Sequence, residues 1–167
     1  MAGLKEIMIY FLKRQRGGQQ SNARLTKMIY LADWRHAIKH SCQLSDIQWR
    51  FDNFGPFVWD PLEVAKSDKA NFTVSESSTF LDSRKSIKLH GKNQPDPAFS
   101  EPELETLKHV IDTTNGMNWS DFIALVYSTY PVLTSERFST LDLVGKADEY
   151  NTLELGPESP KTSDFRP

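Results

Sequence analysis

The segment ARLTKMIYLADWRHAIKH, residues 23–40, restricts the possible folds of this chain more than any other. It begins near Ser21, a residue type that commonly caps the N-terminus of a helix. The residues that share one face at helical spacing are Leu25, Met28, Ile29, Ala32 and His36. Tyr30 and Trp34 lie elsewhere on the circumference, so apolar or aromatic groups surround much of the helix. A helix of this kind needs neighbours on several sides, and we predict that it is central to the fold.

Five further segments have the apolar spacing or the capping residues of helices. They are residues 3–16, 57–67, 101–115, 119–130 and 141–151. Gly17 and Gly18 end the first of them, Ser100 caps the third and Asn118 caps the fourth. Pro131 is expected to stop the fourth, because proline cannot continue a helix.

Alternation of apolar and polar residues predicts the strands. Ile47, Trp49 and Phe51 alternate with polar residues, as in a strand with one buried face, and we assign the rings of Trp49 and Phe51 to the core. Two more candidate strands, residues 71–77 and 85–91, are separated by a polar connection. We expect these two segments and residues 46–52 to form one small antiparallel sheet.

Length and composition fit one folded domain. The chain has 167 residues, of which 38% are hydrophobic and 25% are charged, a balance typical of globular proteins. We predict a single α+β domain, mostly helical, with five or six helices and a small antiparallel sheet, over residues 1–155. The tail, residues 156–167, is poor in apolar residues, and we expect it to be disordered.

The sequence predicts a cytoplasmic protein. Cys42 is the single cysteine, which rules out an internal disulfide. No apolar run reaches the roughly 18 residues of a membrane span. Residues 1–16 place their basic side chains after the apolar ones and include a glutamate among them, unlike a signal peptide.

His36, His40 and Cys42 are the candidates for metal or redox chemistry. Two histidines four positions apart on a helix can reach one metal ion, but zinc sites use three or four protein ligands. The further candidate ligands, which form no known pattern, are Asp33, His90 and His109. The sequence also has no glycine loop for phosphates and no activated nucleophile. We therefore predict no catalytic residue, no metal site, no cofactor and no enzyme activity.

Charge is distributed unevenly along the chain. Residues 1–70 contain eleven Lys or Arg against seven Asp or Glu, while the remaining residues contain nine against fifteen. This basic first part, with two helices joined by GGQQS, leaves a helix-turn-helix DNA-binding protein as an alternative. The connection is longer than usual for that motif, and the basic residues form no single stripe along the second helix. Nucleic acid is therefore the less favoured partner.

Residues 50–65, RFDNFGPFVWDPLEVA, concentrate aromatic side chains at a chain reversal. Gly55 permits a positive φ and Pro56 suits the first turn of a helix, so we expect this pair to form the turn between the strand and the next helix. The rings beside the turn, which are hard to bury together, are those of Phe54, Phe57 and Trp59. Exposed aromatic rings near arginine are typical anchors of protein interfaces.

These motifs resemble the Panacea domain, also called SocA-like, of bacterial and phage antitoxins. RLTKMIYLADWRHAIKH is similar to the family's helix of basic and aliphatic residues, and IQWRFDNFGPFVWDPLE is similar to its strand, Gly-Pro turn and next helix. WSDFIALVYSTYPV and FSTLDLVGKADEY resemble its last helices, so the likeness spans about residues 4–150. The departures from the family's pattern are Asn53-Phe54 in place of a Tyr before the glycine, the large rings of Phe57 and Trp59, and the long polar connection at residues 77–86.

The resemblance implies a domain that binds and neutralises a protein toxin encoded by the neighbouring gene. Members of the family face toxins of unrelated folds, and at least one acts as an adaptor that delivers its toxin to a protease. We expect a steric mechanism, in which the domain covers the active site of the toxin or holds the toxin inactive. The residues expected to anchor the toxin are Phe54, Phe57, Trp59, Arg35 and Trp34. A DNA-binding regulator of its own operon and a metal-dependent enzyme are the alternatives.

Overall fold

The computed structural model describes residues 1–79 and 82–154 of the chain. The helices in these ranges are α1 (Leu4–Lys13), α2 (Asn22–His40), α3 (Asp60–Ser67), α4 (Glu101–Thr114), α5 (Trp119–Tyr127), α6 (Tyr130–Leu133) and α7 (Leu143–Glu154). The strands are β1 (Gln19–Ser21), β2 (Trp49–Asp52), β3 (Gly55–Phe57), β4 (Phe72–Thr79), β5 (Asp82–Leu89) and β6 (Thr140–Leu141). The predicted α+β fold with mostly helical content is confirmed.

Helix α2 lies at the centre of the fold, as its sequence predicts. Every residue from 25 to 38 is buried. The Ser21 hydroxyl oxygen accepts a hydrogen bond from the backbone N–H of Arg24 at 3.2 Å and so caps the helix. Helices α1, α3, α4 and α7 and strands of both sheets contact α2. Its side chains therefore hold the other elements together.

The strands form two separate three-stranded antiparallel sheets. The first sheet has the order β1-β5-β4, and the second sheet has the order β3-β2-β6. The expectation that residues 46–52 share one sheet with residues 71–91 is wrong, because β2 pairs with the segment that directly follows it. Closing so short a loop costs less chain entropy than closing the connection between residues 52 and 72.

The first sheet packs one face on the core and presents the other to solvent. Strands β4 and β5 form the predicted hairpin, with Val74 opposite Ile87. On the inner face, Phe72, Ile87 and Leu89 are at most 3% exposed. The residues that alternate with these along β4 and β5 lie on the outer face, which we call the polar face. They are Thr73, Ser75, Ser77, Arg84, Ser86 and Lys88.

The later helices lie close to their predicted bounds. Ser100 forms a capping box with Glu103 at the start of α4. At the start of α5, the Asn118 side chain accepts a hydrogen bond from the Asp121 N–H at 2.8 Å. Pro131 does not simply end α5, because it lies in the first turn of another short helix, α6, where its missing N–H costs no hydrogen bond.

A continuous cluster of buried apolar side chains joins α1, α2, both sheets and the later helices. Such a cluster is the core that one domain requires. None of the helices in the described residues is both long and apolar enough to cross a membrane. The tail expected to be disordered, residues 156–167, lies outside the described residues.

Candidate protein-interaction surface

A tight hairpin presents the aromatic stretch that stands out in the sequence. Asn53 and Phe54 join β2 to β3, and Asp52 lies opposite Gly55. The φ of Gly55 is +91°, which L side chains rarely adopt. A Cβ atom at this position would lie 3.2 Å from Cε2 of Tyr127. The backbone conformation therefore favours glycine here, and any side chain would also press on the Tyr127 ring.

The expectation that Pro56 begins a helix is wrong. Pro56 lies in β3 opposite Phe51, and α3 begins only at Asp60. The backbone N–H of Phe51 points away from β3 and donates to the Ser139 carbonyl. The Phe51 carbonyl, on the same side, accepts from the Phe138 N–H. Pro56 and Phe51 are thus a non-hydrogen-bonded pair, so the missing N–H of proline removes no hydrogen bond between the strands. Strand β3 is also an edge strand, where proline is tolerated.

A buried carboxylate attaches the hairpin to α2. Oδ1 of Asp33 accepts a hydrogen bond from the backbone N–H of Ser45, and Oδ2 accepts from the Ser45 hydroxyl and from Trp49 Nε1, each at 2.7 Å. Burial raises the pKa of Asp33 to about 6, although these hydrogen bonds act in the opposite direction. The sequence marked Asp33 only as a possible metal ligand. Its structural role is to fix the start of β2.

Aromatic packing continues this support toward the later helices. The rings of Trp49 and Tyr30 meet edge-on, with centroids 5.5 Å apart. Thr129 donates its hydroxyl proton to the Val126 carbonyl at 2.7 Å, so Tyr30 donates to the Thr129 hydroxyl oxygen at 2.8 Å. The prediction that Trp49 and Phe51 are buried is confirmed. Because the inner side of the hairpin is fixed, the orientation of its outer side is fixed as well.

The outer side of the hairpin carries exposed rings. Phe54, in the loop, is 80% exposed, and Trp59, just after β3, is 60% exposed. Phe57 is half-buried and packs edge-on against Trp59, with centroids 5.0 Å apart. Arg50 lies opposite Phe57 in the neighbouring strand. The rings of Phe54 and Trp59 are therefore not part of the core.

Phe138, which the sequence does not single out, lies beside β2 in the second sheet. It is 59% exposed, and its backbone N–H donates to the carbonyl of Phe51. Its φ is +65°, an unfavourable conformation for a bulky residue. Arg50 donates to the Phe138 carbonyl at 3.4 Å. We call the set of Phe54, Phe57, Trp59, Phe138 and Arg50 the aromatic face.

Trp34 and Arg35 do not belong to the aromatic face. Trp34 is 1% exposed and packs edge-on against Tyr150 of α7, with centroids 5.7 Å apart. This burial conflicts with the expected role of Trp34 as an anchor, since its ring has no surface left for a partner. Arg35 faces α4, where its guanidinium lies 3.6 Å from a carboxylate oxygen of Glu105. It lines a cavity of about 420 Å³ together with His109, whose pKa burial lowers to about 4.

His36 and His40 lie side by side on α2, with ring centroids 4.4 Å apart, and Cys42 is exposed beyond the end of the helix. Thr106 donates its hydroxyl proton to the Pro102 carbonyl, so His36 Nδ1 is the donor in its 2.9 Å hydrogen bond to the Thr106 oxygen. Burial lowers the pKa of His36 to about 4. Among residues 1–79 and 82–154, no three His, Cys, Asp or Glu side chains are grouped to hold a metal ion.

The connection between α1 and α2 differs from the turn of a helix-turn-helix motif. Residues 16–18 form a 3₁₀ turn, and the following residues are strand β1, which pairs with β5. Helix α2 is buried among other elements, so it presents no face to a DNA groove. The helix-turn-helix interpretation of the first two helices is therefore wrong.

The fold is that of a mostly helical α+β domain, in which the β2-β3 hairpin carries exposed aromatic rings. Residues 25–131 match the family described as antitoxin SocA-like, Panacea domain. The match covers more than half of the chain, from α2 through the hairpin to α6, and the chain belongs to this family. The family's description supports an antitoxin role in general terms. No curated protein and no solved structure matched the chain.

Proposed function

We propose that this chain is an antitoxin that neutralises a protein toxin, encoded by the neighbouring gene, by binding it through the aromatic face. The observation that supports this most is the exposure of Phe54 and Trp59 on a hairpin whose inner side is fully packed. Neither ring is needed to fill the core. Membership of the antitoxin-like family supports a toxin as the class of partner.

The composition of the aromatic face suits a protein partner. Interface cores are enriched in aromatic residues and arginine, and a few such residues provide most of the affinity. The contact between Phe57 and Trp59 already restricts both rings, so little side-chain entropy is lost when a partner covers them. Arg50 is similarly held by its hydrogen bond to the Phe138 carbonyl. A standard interface buries about 800 Å² on each partner, with a few such anchors near its centre.

The proposed mechanism is steric. Binding of the toxin by a rigid hairpin covers the active site or holds the toxin in an inactive conformation. Such a complex leaves the toxin intact, whereas delivery to a protease lowers the amount of toxin in the cell. An immunoblot of the toxin during co-expression distinguishes these two modes, and we expect an unchanged amount.

Co-expression with the product of the neighbouring gene tests the proposal. Trp59→Ala and Phe54→Ala are each expected to weaken binding by about 2 kcal/mol, or roughly 30-fold in Kd, and to remove protection from the toxin. Isothermal titration calorimetry of the purified proteins measures the affinity. Because both rings are exposed, the Tm of each variant should stay close to that of the wild type.

Trp119→Ala is the matched control for these variants. Trp119 is 49% exposed on α5 and packs against Phe122, outside the aromatic face. We expect this variant to bind the toxin as tightly as the wild type. Wild-type affinity in Trp59→Ala and Phe54→Ala would move the interface elsewhere, and a neighbouring product that is neither toxic nor bound would contradict the antitoxin proposal itself.

A further inference from the structure

Two cations near the start of α2 have no acidic partner among the described residues. Lys27 is 3% exposed, and its ammonium forms no hydrogen bond or ion pair within that part of the chain. Arg24 donates to the Thr114 carbonyl at 3.0 Å, and its guanidinium lies over the ring of Phe122, 4.4 Å from the centroid. Neither of these contacts supplies a negative charge to Arg24.

The ammonium of Lys27 is buried but not completely enclosed. In residues 1–79 and 82–154, Gln94 Nε2 is the one fully enclosed side-chain nitrogen or oxygen without a partner. Lys27 Nζ also lacks a partner, so it must keep a small contact with solvent. Helical side chains lean toward the N-terminus of their helix, which directs Lys27 toward Ala23, an exposed residue. The ammonium therefore lies near the start of α2, with a small part of its surface in contact with solvent.

The electrostatic setting favours an anion beside the Lys27 ammonium. Lys27 and Arg24 are three positions apart and are thus neighbours of like charge on the helix surface. The 19-residue helix α2 adds the positive end of its dipole at the same place. Burial lowers the pKa of Lys27 to about 8 and also lowers the pKa of Arg24, and no carboxylate counteracts either shift. A buried charge without a partner destabilises the fold, and a bound anion would relieve this cost.

We propose that Lys27, Arg24 and the N-terminus of α2 form a binding site for a phosphate group. Helix N-termini bind phosphates through the dipole and the first-turn N–H groups, which in α2 are those of Asn22 and Ala23, because the Arg24 N–H donates to Ser21. Lys and Arg add charge-assisted hydrogen bonds. Two neighbouring cations suit a single phosphate group, either the free ion or the phosphomonoester of a small metabolite. The site is a property of the free chain, so it does not depend on the proposed toxin.

Thermal unfolding in sodium phosphate and in sodium chloride, at equal ionic strength and pH 7, tests this site. We expect the Tm to rise by roughly 2–4 °C when phosphate exceeds its Kd about fivefold. A parallel titration with AMP shows whether a phosphomonoester binds more tightly than the free ion. In Lys27→Met the phosphate-dependent shift should disappear. The Tm of that variant without phosphate should equal or exceed that of the wild type, because an apolar side chain replaces an unpaired charge.

Lys66→Met is the matched control, since Lys66 is exposed on α3, and this variant should keep the full shift. The backbone amide NMR signals of Asn22, Ala23 and Arg24 in the wild type provide a readout that does not depend on any variant. They should move along the same saturation curve. Equal Tm values in phosphate and chloride with unmoved amide signals, or a full shift in Lys27→Met, would overturn the proposal.

Discussion

The two sheets of this domain have inner faces of the same kind and outer faces of opposite kinds. Both are three-stranded and antiparallel, and both pack one side on the core. The polar face of the first sheet presents hydroxyl groups with Arg84 and Lys88, whereas the outer side of the second presents Phe57 and Arg50, flanked by other rings. Folding requires apolar residues only on the inner faces. The exposed rings beside the second sheet are therefore not required by the packing of the core.

The attachments of the two sheets to the core also differ. The inner face of the first sheet is apolar and is formed by Phe72, Ile87 and Leu89. The second sheet adds hydrogen bonds from Trp49 and Ser45 to the buried carboxylate of Asp33. Apolar packing tolerates small shifts, whereas a satisfied network of buried hydrogen bonds requires one geometry. The second sheet is thus the one whose orientation is fixed most strictly, which suits the binding surface proposed for it.

The largest expected effect is that of Asp33→Ala on the attachment of the second sheet. The substitution leaves the Trp49 indole N–H and two donors of Ser45 without an acceptor in a buried site, which should lower the free energy of unfolding by about 3 kcal/mol. Urea unfolding followed by tryptophan fluorescence measures the loss. Asp46→Ala removes an exposed carboxylate nearby and should change the stability by less than about 0.5 kcal/mol. Equal losses in the two variants would mean that the carboxylate of Asp33 does not anchor the hairpin.

A smaller effect is expected from glycine substitutions in the turns of the two sheets. Gly55 in the hairpin and Gly91 after β5 both have positive φ, of +91° and +60°. A Cβ atom at Gly55 would also press on the ring of Tyr127, whereas nothing lies within 4 Å of one at Gly91. We expect Gly55→Ala to cost about 2 kcal/mol and Gly91→Ala about 1 kcal/mol in urea unfolding. The reverse order would show that the hairpin adapts more easily than the first sheet.

Local patterns in the sequence were enough to predict the parts of the fold that depend on neighbouring residues. The apolar circumference of α2 and the alternation of Trp49 and Phe51 involve positions a few residues apart, and both predictions are confirmed. The exposure of Phe54 and Trp59 could be argued in the same way, because rings crowded at a reversal cannot all reach the core. The family could also be identified from these motifs.

The features that the sequence did not predict depend on contacts between distant segments. Phe138 joins the aromatic face only because β6 pairs with β2, and a strand of two residues has no periodicity to detect. The role of Asp33 depends on a loop, at Ser45, that bends back to α2. The single predicted sheet was wrong for a related reason, since alternation identifies strands but not their partners.

The smallest expected effect is a pH dependence of stability that arises from Asp33, in the attachment of the second sheet. The pKa of Asp33 is about 6 in the folded protein and 3.8 ordinarily, so the folded state binds more protons between these values. The stability contributed by Asp33 is therefore full below about pH 4 and is lost as the pH rises through 6. Relative to Asp33→Asn, the wild type should lose about 1 kcal/mol of unfolding free energy between pH 5.5 and 7. His36 and His109, with pKa values lowered to about 4, have the opposite dependence, and their contribution cancels because both proteins contain them. Urea unfolding at these two pH values gives the difference, and a difference that does not change with pH would mean that Asp33 titrates as in the unfolded chain.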